Sequence, residues 1–96
     1  MKDKITNTIK LEIDKVIYLY KSKNLIAALN LSNKLIGLKH GMPFLYNING
    51  IINLSLGNWQ NALLAFKKTL EYDNKFIEAY NNMGVAYSHL GENDKA

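Results

Sequence analysis

The sequence has no cysteine and no arginine, and it holds a single proline and a single tryptophan. The absence of cysteine rules out disulfides and thiolate metal sites, and it leaves the redox compartment open. The absence of arginine means that all twelve basic residues are lysines. The bidentate guanidinium contacts that nucleic-acid recognition commonly recruits are therefore missing. The net charge of +4 is concentrated at the front: residues 1–42 hold eight lysines against three acids, and residues 43–96 hold four against five. Thirteen asparagines and ten isoleucines accompany the lysines. Lysine, asparagine, isoleucine and tyrosine share AT-rich codons, so the excess of lysine reads as coding bias and nucleic acid is not an expected partner.

Long hydrophobic runs are also missing. The longest stretch without formal charge, 40–66, contains Asn47, Asn49, Asn53, Asn58, Gln60 and Asn61 as well as Pro43, Gly50 and Gly57. Such a segment does not span a bilayer. At the front, Glu12, Asp14 and Lys15 break any apolar core that an export signal would need. A soluble, cytoplasmic chain is expected, with no membrane partner. Its 96 residues make one domain at most, and 48% hydrophobic residues are too many for a disordered one.

No constellation for chemistry stands out. His40 and His89 lack a ligand partner three or four residues on, as a zinc site on a helix would require. A solvent-facing or capping role is expected for both. Glu71 and Asp73 beside Lys67 and Lys68 read as a solvated charged face, and Ser55 and Thr69 have no base near them in sequence. There is no glycine-rich phosphate loop and no nucleophile elbow. Neither catalysis, nor a cofactor, nor a metal is expected of this chain by itself.

What the sequence does contain is a period. Shifted by 34 residues without a gap, Tyr46-Asn47 falls on Tyr80-Asn81, Gly50 on Gly84, Leu56-Gly57 on Leu90-Gly91 and Ala62 on Ala96. The same shift backwards brings Asn24-Leu25 onto Asn58-Trp59, Ala28-Leu29 onto Ala62-Leu63 and Lys34 onto Lys68. This divides the chain into a leader (1–8) and units 9–42, 43–76 and 77–96. Apolar residues recur three or four apart within each unit, the helical spacing. The spacing predicts helices over about 4–22, 25–36, 43–56, 59–73 and 76–90, followed by a stub of a sixth. Turns are expected at Lys23-Asn24, Gly57-Asn58 and Gly91-Glu92, with Gly37 and Gly41 loosening the backbone before Pro43. Proline suits the first turn of a helix because its missing N–H has no partner there in any case.

These residues resemble the tetratricopeptide (TPR) repeat, a 34-residue helix–turn–helix with a W-x₂-L-G-x₂-Y…A-x₃-F signature. Tyr80, Gly84, Tyr87, Leu90-Gly91 and Ala96 carry the resemblance in the third unit. Gly50, Gly57, Trp59, Ala62 and Phe66 carry it in the second, where Asn49 and Asn53 stand at positions usually apolar or aromatic. The first unit has Val16 for the small glycine and Lys23 for the turn glycine. The resemblance covers 9–96 and implies an all-α fold: antiparallel helical hairpins stacked as a right-handed α-solenoid, cut inside the third repeat. It implies that Gly50 and Gly84 let the helices of a hairpin approach, with Ala62 facing Gly50, and that Tyr46, Phe66, Tyr80 and Tyr87 fill the space between hairpins.

The resemblance also implies a function. The first helix of each hairpin would line a concave face that holds a peptide or protein segment. The candidate groove residues are Phe44, Asn47, Ile48 and Ile51 in unit two, and Glu78, Asn81, Asn82 and Val85 in unit three. Asparagine offers both donors and acceptors to an extended backbone. Asn82 matches the asparagine ladder of O-linked N-acetylglucosamine transferase repeats, with Ile48 at the equivalent place in unit two. A clamp for acidic tails would need basic groove residues, and Lys10 and Lys15 alone could serve, so none is expected. The front also resembles bacterial repeat proteins that continue into glycosyltransferase or sulfotransferase domains, so a positioning solenoid for a larger enzyme is the alternative. Apolar residues of the last helix are expected to remain uncovered, giving fraying or self-association.

Overall fold

In the computed structural model the chain forms five helices: α1 (Lys2–Lys21), α2 (Leu25–Leu38), α3 (Pro43–Ser55), α4 (Trp59–Tyr72) and α5 (Ile77–Lys95). The structure describes residues 2–38 and 41–95, with side chains over 8–38 and 41–91. His40 and Ala96, both used in the sequence reading, lie outside the described residues. No strand occurs among them. Each helix packs on its neighbour in the chain, and α3 also touches α1 and α5. This is the arrangement of a helical-hairpin solenoid, elongated to 53 × 29 × 19 Å.

Two identical turns build the hairpins. In the first, Asn24 N–H donates to Leu19 C=O at 2.9 Å and Lys23 N–H to Tyr20 C=O at 3.0 Å. One repeat later, Asn58 N–H donates to Asn53 C=O at 2.9 Å and Gly57 N–H to Leu54 C=O at 3.0 Å. This pairing satisfies the orphan carbonyls at a helix end and needs one residue in the left-handed conformation. Lys23 (φ +66°) and Gly57 (φ +77°) supply it. Pro43 opens α3, as expected from its missing donor.

The core comes in two parts. Val16, Ala28, Leu35, Leu45, Ile48 and Ile52 join α1, α2 and α3. Ala62, Phe66 and Ala79 join α4 and α5, with Ile51, Leu54, Leu70, Phe76 and Met83 packed around them. Gly50 does admit a close neighbour, and the nearest is the Phe66 ring.

Three expectations need correction. Helix α2 continues through Gly37 to Leu38. Helix α5 continues through Gly91 to Lys95 rather than turning there. A turn of this kind is held by the packing of the helix that follows it, and no described helix follows α5. Glycine within a helix costs only about 1 kcal/mol, so α5 runs on through Gly91. The third correction concerns the aromatics. Tyr46 and Phe66 are buried as expected, but Tyr80 and Tyr87 are half exposed, because no described helix covers that side of α5.

Candidate functional site

The helices are unevenly spaced on the two sides of the array. Both α1 and α5 make backbone contact with α3, whereas α2 and α4 do not reach one another. The helices α1, α3 and α5 therefore share one face of the array, termed the inner side. A cleft of about 220 Å³ opens there. Its walls are Ile17, Tyr20 and Lys21 of α1, Phe44, Asn47, Ile48 and Ile51 of α3, and Glu78 of α5.

Of the groove residues expected from sequence, Phe44, Asn47, Ile48, Ile51 and Glu78 are brought together in this cleft. Asn81, Asn82 and Val85 do not line it. Phe44 is exposed, Ile51 is half buried and Ile48 is buried. Two of the three groove asparagines are paired with one another: Asn82 Nδ2 donates to Asn47 Oδ1 at 3.3 Å, joining α5 to α3. With Asn47 almost fully buried, the inner surface is an apolar trough rather than a row of free amides. Sequence reasoning missed Ile17, Tyr20 and Lys21. The 34-residue shift carries the signal for one of them, since Ile17 falls on Ile51.

The amides gather on the other side. Asn49 Nδ2 donates to Ser32 Oγ and to Asn33 Oδ1, each at 2.8 Å. Asn53 Nδ2 donates to Asn49 O at 3.0 Å and to Asn49 Oδ1 at 3.1 Å. Asn58 Nδ2 reaches Asn53 Oδ1 at 3.4 Å. A cleft of about 360 Å³ lies over this network, between α2 and α4. Asn49 and Asn53 are both buried, and among the described residues no buried side-chain polar atom lacks a partner. The buried amides Asn49 and Asn53 thus spend hydrogen bonds on one another and on α2, so they join α2 to α3. Lys68, at the edge of the same cleft, pairs with Glu71 at 3.4 Å. That hydrogen bond and the carboxylate charge raise the lysine above its ordinary pKa.

His89 stacks on Trp59, with ring centroids 4.0 Å apart and planes 7° from parallel. It therefore ties α5 to the start of α4 instead of facing solvent. Among the described residues no group of three or more His, Cys, Asp or Glu is placed to hold a metal. No helix of the described residues is long and apolar enough to cross a membrane.

Residues 50–91 match the family model of the TPR repeat. The match begins at Gly50 on α3, takes in all of α4 and ends at Gly91 of α5. No curated protein matches the chain.

Proposed function

We propose that this TPR-repeat protein holds a peptide or protein segment in the apolar cleft between α1, α3 and α5. TPR repeats are, in general, protein–protein interaction modules and typically non-catalytic. The observation that carries the reading for this chain is the convergence of Ile17, Tyr20, Phe44, Ile48 and Ile51 on one open trough of the inner surface. Their side chains come from helices that contact one another only through α3. The trough is therefore preformed by the stacking, which lowers the ordering cost of binding. An inserted aliphatic side chain would contribute about 1.5–3 kcal/mol by burial.

A second surface supports self-association as a further interaction. Ile77, Tyr80 and Tyr87 leave α5 with a stripe of exposed apolar side chains, and clustered exposed apolar residues mark contact sites more often than isolated ones do.

The cleft reading is tested by selection from a random peptide phage library on the wild-type chain and on Phe44→Asp. Phe44 is already 45% exposed, so the variant should keep its helicity, which circular dichroism checks. A shared motif enriched on the wild type and lost on Phe44→Asp is the expected result. A motif enriched equally on both would place binding elsewhere.

A further inference from the structure

We infer that the cleft selects by charge as well as by apolar fit. Its occupant is an extended segment with one aliphatic side chain, an acidic residue toward α1 and a basic residue toward α5. The inference rests on the cleft reading above and adds the chemistry of the partner.

Among the described residues, Lys21 and Glu78 are the only charged ones in the cleft wall. Lys21 lies in the last turn of α1 and Glu78 in the first turn of α5. Both are exposed. The ion pair found among the described residues joins Lys68 to Glu71 on α4, so neither cleft charge pairs with another described residue. Among the described residues the two form no ion pair with one another, and α1 and α5 each pack on α3 rather than closely on each other. The cleft is thus an apolar floor with a fixed positive charge on one wall and a fixed negative charge on the other.

The charges are also offset along the helices. Under the 34-residue shift, Lys21 falls on Ser55 at the end of α3 and Glu78 falls on Phe44 at its start. Those levels are eleven positions apart, about 16 Å along a helix axis at 1.5 Å per residue. An extended peptide at about 3.3 Å per residue covers that distance in about five steps. A volume of about 220 Å³ is below the roughly 300–1,000 Å³ of small-molecule sites, and it suits one side chain between the two charges. Two like charges on the occupant would set one of them against a wall of its own sign.

The probes are acetylated, amidated hexapeptides titrated into the ¹⁵N-labelled chain and followed by amide chemical shifts. Glu-Ser-Leu-Ser-Ser-Lys is compared with the same peptide carrying Lys at both ends, Glu at both ends, or Ser in place of Leu. The mixed peptide is expected to bind about two- to fivefold more tightly than either like-charged one, the range of rim ion pairs. The preference should shrink in 0.5 M salt, since exposed charges are screened. The peptide without leucine should lose at least tenfold. Lys21→Glu should turn the preference toward the peptide with two lysines, and Glu78→Lys toward the one with two glutamates. Leucine-dependent shifts around Phe44, Ile48 and Ile51 that ignore the end charges would overturn this inference and leave the cleft reading standing. Shifts confined to α2 and α4, or none with any peptide, would overturn both.

Discussion

The ring of Phe66 lies so close over Gly50 that a Cβ placed there would stand 2.7 Å from Phe66 Cδ1 and 2.8 Å from Cζ. Phe66 is fully buried between α3, α4 and α5, so it has no free volume to swing into. One repeat on, a Cβ at Gly84 would meet nothing within 4 Å. The same substitution should therefore have opposite signs at the two positions. Gly50→Ala gains about 1 kcal/mol of helix propensity, but overpacking of about 1–3 kcal/mol opposes it, for a net loss of up to about 2 kcal/mol. Gly84→Ala should stabilise by about 0.5–1 kcal/mol. Urea unfolding of both variants checks this, and a stabilised Gly50→Ala would mean that the helices do not meet through Phe66.

Lys23 and Gly57 occupy equivalent turns with nearly equal left-handed φ. For an L-residue with a side chain that conformation costs about 1–2 kcal/mol. Replacing lysine by glycine also makes the unfolded chain more flexible, which offsets part of the gain. Lys23→Gly should raise stability by about 0.5–1 kcal/mol, whereas Gly57→Lys should lower it by about 1–2 kcal/mol. Thermal melts of the two single variants decide the matter. A neutral Gly57→Lys would show that the second turn tolerates another conformation.

The fold was legible because its signals are local. Period, apolar spacing and turn residues specify hairpins wherever one helix of a unit has its mate, as Tyr46, Gly50 and Phe66 show. The same reasoning buried Tyr80 and Tyr87 and placed a turn at Gly91, where α5 has no described mate and keeps its helix instead. The site was partly legible. Phe44, Ile48 and Ile51 follow from the inner face of α3, and Ile17 follows from the same register. The role of the asparagines did not follow, because a sequence shows that Asn49 replaces an apolar residue but not that Ser32 and Asn33 sit opposite it. Pairings 16 and 17 residues apart depend on how α2 lies across α3.

That network gives a third prediction. Asn49→Ala removes the two 2.8 Å hydrogen bonds to α2 and the 3.1 Å one from Asn53 Nδ2, and widens the cleft above them, for a loss of about 1–2 kcal/mol. Asn49→Leu should stay within about 1 kcal/mol of the wild type. Ser32 Oγ still donates to Leu29 C=O at 3.0 Å, Asn53 Nδ2 still reaches the backbone oxygen at position 49, and the added methyl groups fill space. A double-mutant cycle between alanines at positions 49 and 53 should give a coupling of at least about 0.5 kcal/mol, as neighbours in one network do. Additive losses would show that the amides act independently.

The exposed side of α5 carries the last prediction. Ile77, Tyr80, Gly84 and Tyr87 recur at intervals of three and four, so they form one stripe of the helix. In α3 the equivalent stripe is covered: Tyr46 stacks on Tyr72 at 5.7 Å, and Phe66 closes over Gly50. On α5 the side chains are 72%, 52% and 50% exposed at Ile77, Tyr80 and Tyr87, with open space at Gly84. A stripe whose counterpart is a helix-packing surface should pack against a second copy when concentration allows. Sedimentation equilibrium is expected to show a concentration-dependent increase in mass that persists in 0.5 M salt, because apolar contacts are not screened. Changing both Tyr80 and Tyr87 to Ser should return the chain to a monomer. It should change stability by less than about 1 kcal/mol, since both side chains are already half in water. A wild-type chain that stays monomeric at several hundred micromolar would refute self-association through α5, and it would leave the cleft on the inner surface untouched.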